Sequence, residues 1–165
     1  MNFSDCHSKI FSMGAFYRAD TFTATRNVFR LISRVKSEAL AALEDVLAKD
    51  PEVSALEVTA AQYVIIATLA EQEAFSSAQL CKFFSYDAGA MTRMVDRLEA
   101  KGLVRRRRCT EDRRLVNLEL TESGKALFPK MKLLAMQVQN RFLTGVSEEE
   151  VEQLEKTLHK ILGNA

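Results

Sequence analysis

Apolar residues recur at the spacing of an amphipathic helix over much of the chain, starting near Thr25. The first such run comprises Val28, Leu31, Ile32, Val35, Ala39, Leu43, Val46 and Leu47. Because residues three and four positions apart share one face of a helix, this run predicts a single long helix from about Thr25 to Lys49. Residues 1–24 lack sustained periodicity, and we expect them to form an N-terminal arm.

Helix-capping pairs precede the next two apolar segments. Thr59 with Gln62, and Ser76 with Gln79, have the spacing of a capping box, in which each side chain bonds the backbone N–H of the other residue. The sequence therefore predicts two shorter helices, within AAQYVIIATLAEQ and AQLCKFF.

A third short helix is predicted between Asp87, which can cap its N-terminus, and Gly102, which can end it. Its apolar stripe consists of Met91, Met94, Val95 and Leu98, at positions i, i+3, i+4 and i+7. The residues off that stripe are Thr92, Arg93, Asp96 and Arg97. We therefore expect a helix with one apolar face and one charged face.

The pattern changes after Gly102 from helical to alternating, which is typical of a β-strand. Val116, Leu118 and Leu120 face one way, while Asn117 and Glu119 face the other. The segment predicts a β-hairpin with a first strand at about 103–108, a tip at 109–114 and a return strand at 115–120.

Two further helices are predicted after the hairpin. Thr121 can cap the first, from about Glu122 to Leu143, and Ser147 with Glu150 forms a capping box for the last, which ends near Leu162. The predicted fold class is mostly α with a small β-hairpin wing.

The long first helix and the helices after Thr121 carry more apolar surface than one small winged helix can cover. This favours a homodimer with dimerisation regions at 25–58 and 122–165, flanking a DNA-binding domain at 59–121. An intramolecular helical subdomain is the alternative.

Composition excludes several functional classes. The 165 residues are 47% hydrophobic, but no apolar run approaches the about 18 residues of a membrane span, and the N-terminus lacks the order of a secretory signal. We therefore expect a cytoplasmic protein with no membrane partner. Three widely spaced cysteines and two histidines match neither a disulfide framework nor a metal site, and no catalytic motif occurs. We expect no enzyme activity, no cofactor and no metal.

Charge is distributed unevenly along the chain, although the net charge is only +1. Residues 76–120 carry 10 basic and 6 acidic side chains, a net charge of +4, whereas residues 1–75 carry 7 and 10. Six arginines lie within ten positions, namely Arg105, Arg106, Arg107, Arg108, Arg113 and Arg114. A basic segment of this kind is the electrostatic footprint of nucleic-acid binding.

Two short helices joined by FFSYDA and followed by a basic hairpin describe a helix-turn-helix with a wing, whose second helix enters the major groove of duplex DNA. Small residues at 88–90 permit close approach. Thr92, Arg93 and Arg97 supply a hydroxyl and two guanidinium groups for phosphates and base edges. The alternative is that they form a solvated helix face.

Strand alternation sends two of the four arginines 105–108 to each face of the hairpin, so at least two only cover the sheet or contact backbone phosphate. Arg113 and Arg114 at the tip suit a narrow minor groove, and Asp112 beside them is expected to orient an arginine. The candidate DNA-binding residues are Ser77, Gln79, Thr92, Arg93, Arg97, Arg106, Arg108, Asp112, Arg113 and Arg114.

Three blocks of the sequence resemble the MarR family. VTAAQYVIIATLA, AGAMTRMVDRLEAKGLVRRR and EDRRLVNLELTESGKALF match the family patterns L-T-x-x-Q, T-R-x-x-D-x-L-E-x-x-G-L-V-x-R and D-x-R-x-x-x-x-x-L-T-x-x-G, and the spacing between the blocks also agrees. The resemblance implies a homodimer with interlocked terminal helices and a wing that inserts into the minor groove, with Asp112 holding Arg114. Two positions depart from the family pattern. Cys81 stands where the family usually has alanine, and the segment VTAAQ begins with valine where the family usually has leucine.

A small-molecule effector is a further expected partner. Arg26, Arg30 and Arg34 lie at successive i+4 positions of the first helix, and Tyr63 opens the next, so Arg30, Arg34 and Tyr63 are candidates to hold an aromatic carboxylate, as effector pockets of the family do. The alternative is a solvated helix face on which Arg34 and Glu38 form an i,i+4 ion pair.

Besides an enzyme, which is carried only for completeness, three functional hypotheses follow. The first is a ligand-responsive DNA-binding repressor. The second is a redox-sensing regulator that uses Cys6 beside His7 and Lys9, or Cys109 after the four arginines, with Cys81 filling the core. The third is a winged-helix protein-interaction module without a DNA target.

Overall fold

The computed structural model describes residues 16–18, 20–71, 75–108 and 116–164, and the chain divides into two compact units, residues 1–38 and 39–165. Helix α1, Val28–Lys49, crosses the division between them. In the first unit, the Asn27 Oδ1 atom accepts the Arg30 N–H at 3.0 Å, so Asn27 occupies the cap position. The predicted start at Thr25 is therefore three residues too early, and Arg26 lies before the helix, in a bridge with Thr23.

The short helix α2, Pro51–Ser54, follows α1 directly and was not predicted. The Asp50 Oδ1 atom accepts the N–H groups of Glu52 and Val53, both at 3.1 Å. Proline at the first helical position loses no hydrogen bond, because that N–H has no partner within a helix. A single turn of helix has no hydrophobic periodicity, so the pattern along the chain could not reveal it.

Helix α3, Ala60–Glu71, begins at the predicted capping box. Gln62 Oε1 accepts the Thr59 N–H, and Thr59 Oγ1 accepts the Gln62 N–H, both at 3.2 Å. Another free N–H at this helix end, that of Ala60, donates to Glu44 Oε2 at 2.5 Å. The second half of α1 is thereby attached to the start of α3.

Helices α4, Ser77–Phe84, and α5, Ala88–Ala100, are the second and third predicted short helices. The Ser76 and Gln79 capping box is present, and Asp87 Oδ1 accepts the Ala90 N–H at 2.8 Å, as expected. Gly102, with φ of 68°, lies just beyond the end of α5, in the left-handed conformation that favours glycine.

The hairpin strands are β2, Val104–Arg108, and β3, Val116–Leu120, which pair antiparallel with Arg106 opposite Leu118. An additional strand, β1 (Phe75–Ser76), pairs with the other edge of β3 and makes a three-stranded sheet in the order β1-β3-β2. The predicted hairpin tip, 109–114, lies outside the described residues.

Helix α6, Glu122–Phe142, and helix α7, Glu148–Leu162, agree with prediction to within one residue. Thr121 Oγ1 accepts the Gly124 N–H at 3.1 Å, and Ser147 with Glu150 forms the expected capping box. No helix of the described chain is long and apolar enough to span a membrane.

One hydrophobic core joins α3, α5, α6 and the sheet within the second unit. From α5 it includes Met91, Val95 and Leu98, which are fully buried, so the opposite face of α5 is exposed. In contrast, α7 has no buried residue, and large apolar side chains are exposed along it and along α6.

Candidate nucleic-acid interface

Helices α4 and α5 pack against each other and are joined by the tight turn 85–87. Ser85 adopts a left-handed conformation, with φ of 53°, and the Tyr86 N–H donates to the Cys81 carbonyl at 3.1 Å. This turn reverses the chain direction within three residues. The two helices and the hairpin that follows α5 have the arrangement of a helix-turn-helix with a wing.

The exposed face of α5 presents two arginines without a partner. The guanidinium groups of Arg93 and Arg97 have no hydrogen bond or ion pair with any described residue. Between them lies Asp96, which is paired with the hairpin. Thr92 is also exposed, and its hydroxyl donates to the Ala88 carbonyl one turn earlier, at 2.7 Å. Arg93 and Arg97 are therefore available to a ligand.

The two candidates on α4 lie at its first turn. Ser77 is half-buried as the first helical residue, and Gln79 is exposed. Gln79 Oε1 accepts two hydrogen bonds, from the Ser76 N–H at 2.9 Å and from the Ser76 hydroxyl at 3.0 Å, so only its amide N–H₂ group remains available.

Arginines alternate between the two faces of β2, as predicted. Arg105 and Arg107 share one face, and both pair with Glu119 of β3, at 3.0 Å and 3.4 Å. Their charge is thus partly neutralised within the hairpin. Glu119, whose side chain is only 20% exposed, is a functional neighbour whose strand face was predicted without a role; its position opposite Arg105 was the available signal.

Arg106 lies on the other face and contacts helix α5. Its Nη2 donates to Asp96 Oδ1 at 2.7 Å, its Nη1 donates to Glu99 Oε2, and its backbone N–H donates to Glu99 Oε1 at 2.9 Å. Arg106 was predicted to bind DNA, but here its guanidinium group is held by two carboxylates. Neither Asp96 nor Glu99 was predicted as a partner of Arg106.

Arg108 ends β2, and its exposed guanidinium group has no partner in the described part of the chain. Among the described residues of helices α4 and α5 and of the hairpin, it joins Arg93 and Arg97 as the third arginine without a partner. Asp112, Arg113 and Arg114, predicted for the wing tip, lie outside the described residues, and their roles stay predictions.

The candidate effector residues fall in different units. Arg34 pairs with Glu38 at 2.7 Å, as the alternative interpretation expects, and this hydrogen bond raises the pKa of the guanidinium group. Arg30 lies one turn earlier on the same exposed face, whereas Tyr63 belongs to the second unit. Burial, together with the Glu71 carboxylate, raises the pKa of Tyr63. The effector pocket remains a prediction.

Cysteine and metal chemistry can be located only for the part of the chain that the structure describes. These residues contain no group of histidine, cysteine or carboxylate side chains that could hold a metal ion. Cys81 is half-buried against the core, as expected. Cys6 and Cys109 lie outside the described residues, so the redox hypothesis stays a prediction.

The fold is that of a winged helix-turn-helix protein. Its parts are helix α4, the turn 85–87, helix α5 and the arginine-rich hairpin. Residues 58–116 match the model of the MarR family. The chain is 32% identical to a cysteine-to-serine variant of E. coli MarR solved in complex with operator DNA; the similarity covers 82% of this chain and 93% of that one, with a TM-score of 0.69. The protein therefore belongs to the MarR family.

Two other solved structures show the same fold. BpsR of Bordetella bronchiseptica, solved to explain the regulation of its DNA binding by 6-hydroxynicotinic acid, is 26% identical, with 85% of this chain and 96% of that chain covered and a TM-score of 0.70. BldR of Sulfolobus solfataricus is 24% identical over 100% of both chains, with a TM-score of 0.71. The latter likeness supports the fold alone.

Proposed function

We propose that this protein is a transcriptional repressor that binds palindromic duplex DNA as a homodimer. The observation that carries the proposal is the set of three available guanidinium groups, those of Arg93 and Arg97 on α5 and Arg108 on β2. The other three described arginines of the hairpin are paired with carboxylates. A related protein solved on operator DNA supports this assignment.

In this proposal α5 lies in the major groove, where Arg93 and Arg97 contact base edges and phosphates. Ser77 and Gln79, at the start of α4, contact the DNA backbone. The hairpin lies along the DNA beyond the major groove, and Arg108, Arg113 and Arg114 are directed to the minor groove. Asp112 orients one of these arginines.

Dimerisation is supported by the apolar surface that α6 and α7 leave exposed. It includes Leu133, Met136, Phe142, Leu154 and Leu162. A monomer seldom leaves so many large apolar residues exposed along two adjacent helices, because burying them in an interface is favourable. A two-fold dimer presents two copies of α5 to successive major grooves.

The test is operator phasing. After genome-wide footprinting with the purified protein, we expect an inverted repeat with half-site centres about 10 base pairs apart. Inserting about five base pairs should weaken binding sharply, because one half-site then faces away, while replacing the central base pairs without changing the length of the site is the matched control. If each dimer neutralises about 6 to 10 phosphates, the log-log salt slope lies between about −5 and −9.

Equal affinity for operator and random duplex, with a flat salt response, would contradict DNA binding. That result would favour the third hypothesis, a winged-helix interaction module without a DNA target.

We further propose that an aromatic carboxylate releases the DNA. BpsR, whose DNA binding is regulated by 6-hydroxynicotinic acid, an aromatic acid, supports this ligand class. The proposed contacts are Arg30, Arg34 and Tyr63. Titrating the DNA complex with 6-hydroxynicotinic acid should weaken binding by about 5- to 150-fold, the usual range of allosteric coupling.

An Arg30→Ala, Arg34→Ala double variant should lose this response, while Lys36→Ala, an exposed cation on the same helix, should keep it. An unchanged response in the double variant would place the pocket elsewhere.

A further inference from the structure

The cluster formed by Asp96, Glu99 and Arg106 attaches the wing to the recognition helix. Arg106 bonds Asp96 and Glu99 through its guanidinium group, and it bonds Glu99 a second time through its backbone N–H. The side chains of Arg106 and Glu99 are only 33% and 30% exposed, and that of Asp96 is 55% exposed.

Three hydrogen bonds from one strand residue restrain more than an isolated ion pair does. A single exposed ion pair contributes little, because its side chains remain mobile. Here the backbone N–H of Arg106 is bonded to Glu99, and the guanidinium group of Arg106 is bonded to Asp96. The two carboxylates lie one helical turn apart on α5. This arrangement restrains both the distance between β2 and α5 and the rotation of the strand about its axis.

Charge makes the cluster unexpected on a DNA-binding surface. Asp96 and Glu99 lie on α5 close to Arg93 and Arg97, and unpaired carboxylates there would repel phosphate. Their presence beside these arginines therefore calls for a role other than attracting DNA. Arg106 neutralises both, and it is correspondingly less available for a phosphate contact of its own.

We propose that Asp96, Glu99 and Arg106 are positioning residues that fix the wing relative to α5 and thereby set the span over which each subunit reads its operator half-site. This inference rests on the proposed function, since it concerns how the DNA-binding surface is held. It assigns to Arg106 a role different from that of Arg108, two residues later on the same strand.

The two roles predict opposite signs when a carboxylate is removed. If Asp96 and Glu99 merely lay near DNA, Glu99→Ala would remove a repulsive charge and strengthen binding. If they position the wing, the same change weakens operator binding. Because coupling within a bonded cluster typically amounts to a few-fold to about 100-fold, a loss of about tenfold is the scale expected.

The experiment compares Asp96→Ala, Glu99→Ala and Arg106→Ala on the operator and on a scrambled duplex. We expect each to weaken operator binding about tenfold, with random-duplex affinity and the salt slope unchanged. Losses from Glu99→Ala and Arg106→Ala should not add, because both changes break the same bonds. Glu99→Gln, which keeps an acceptor for Arg106, should regain part of the loss.

Glu122→Ala is the charge-matched control, since it removes a carboxylate whose partner is Lys125 on the same helix. It should leave operator affinity unchanged. Hydrogen exchange of the backbone amides 104–108 in the free protein provides a readout without DNA, and these amides should exchange faster in Glu99→Ala than in the parent.

The inference is overturned if Glu99→Ala binds the operator as tightly as the parent, or if Arg106→Ala lowers the salt slope by about one unit per wing, as loss of a phosphate contact would. Failure of the proposed function is distinct, because the parent itself would then bind no duplex. Even in that case, unchanged exchange of amides 104–108 in Glu99→Ala would overturn the positioning role.

Discussion

Gly124 packs directly against the backbone carbonyl of Leu103, where the chain leaves the recognition helix and enters the wing. A Cβ atom added at residue 124 would lie 2.2 Å from Leu103 O. The same carbonyl accepts the Thr121 N–H at 3.1 Å, so it is held in place from the start of α6. Residue 124 must therefore lack a side chain, and this contact packs the first turn of α6 against the residue that precedes β2.

Gly124→Ala should destabilise the protein. Alanine normally favours a helix over glycine by about 1 kcal/mol, but here its methyl group meets a backbone atom that cannot move independently. The overpacking should outweigh the gain and leave a net loss of about 1 to 3 kcal/mol in the free energy of unfolding. Urea denaturation measures it.

Ser123→Ala, at the exposed neighbouring position, is the control and should lie within about 0.5 kcal/mol of the parent. A stabilised Gly124→Ala variant would show that α6 can move away from Leu103.

Arg93→Ala and Arg105→Ala should differ in their effect on DNA binding, although both remove an exposed guanidinium group. Arg93 has no described partner, whereas Arg105 is paired with Glu119 at 3.0 Å. If Arg93 pairs with a guanine edge, its loss should cost about 1 to 3 kcal/mol on the operator and much less on random duplex. Arg105→Ala should have a smaller effect on both. Equal losses of operator affinity in the two variants would mean that an ion pair within the hairpin does not decide whether an arginine can contact DNA.

Lys101→Met should destabilise the fold through two lost hydrogen bonds. The ammonium group of Lys101, at the end of α5, donates to the carbonyls of Leu56 and Glu57, the latter at 2.7 Å. Glu57 has a left-handed backbone, with φ of 49°, which a non-glycine residue seldom adopts without support. Hydrogen bonds to a charged group contribute about 1.5 to 3 kcal/mol, so a loss of about that size is expected on urea unfolding.

Lys125→Met is the matched control for this prediction. Its ammonium group pairs with the exposed Glu122 at 2.9 Å, and the loss should stay below about 1 kcal/mol. Similar losses in the free energy of unfolding for the two variants would mean that the hydrogen bonds of Lys101 to the carbonyls of Leu56 and Glu57 add no stability beyond that of an exposed ion pair.

Asp50→Asn should lower stability at neutral pH but not in acid. Desolvation raises the pKa of the Asp50 carboxyl, but hydrogen bonds from the Val53 and Glu52 N–H groups and from Lys130 outweigh it and hold the pKa below its usual value of 3.8. A lowered folded-state pKa stabilises the fold above the unfolded-state pKa, and this contribution disappears as the pH falls through the folded-state value. Asparagine preserves the cap and removes only the charge.

The free energies of unfolding of parent and Asp50→Asn should therefore differ at pH about 7 and converge as the pH falls through the lowered folded-state pKa of the Asp50 carboxyl. Both are measured by urea denaturation at one protein concentration, because assembly also affects stability. A difference that stays constant over this range would mean that the ionised carboxylate makes no specific contribution.

Local signals predicted most of the fold. Capping boxes at Thr59, Ser76 and Ser147 located three helix starts to within one residue, because the cap and its partners lie within four positions of each other. The start of α1 was missed because Asn27, not Thr25, bonds the first turn. Strand β1 was missed because it contains only two residues and pairs with β3, about forty positions later.

The candidate interface was predicted less completely than the fold. Alternation correctly separated Arg105 and Arg107 from Arg106 and Arg108. It could not show that Arg106 meets Asp96 and Glu99, since that contact depends on how the sheet packs against α5. Which arginines remain available is thus a property of tertiary structure.

The hydroxyl group of Thr92 has a single hydrogen, and the carbonyl of Ala88 already binds it. In this conformation Thr92 offers only lone pairs to its surroundings, so it can accept a hydrogen bond but cannot donate one to a phosphate or to guanine O6. Bases that present an amino group in the major groove, cytosine at N4 and adenine at N6, are the ones that its hydroxyl group can recognise. Arg93, the next residue, has only donors to offer. Adjacent positions of one helix would thus select chemically opposite base edges, and systematic base substitution across the operator half-site would reveal such a pair.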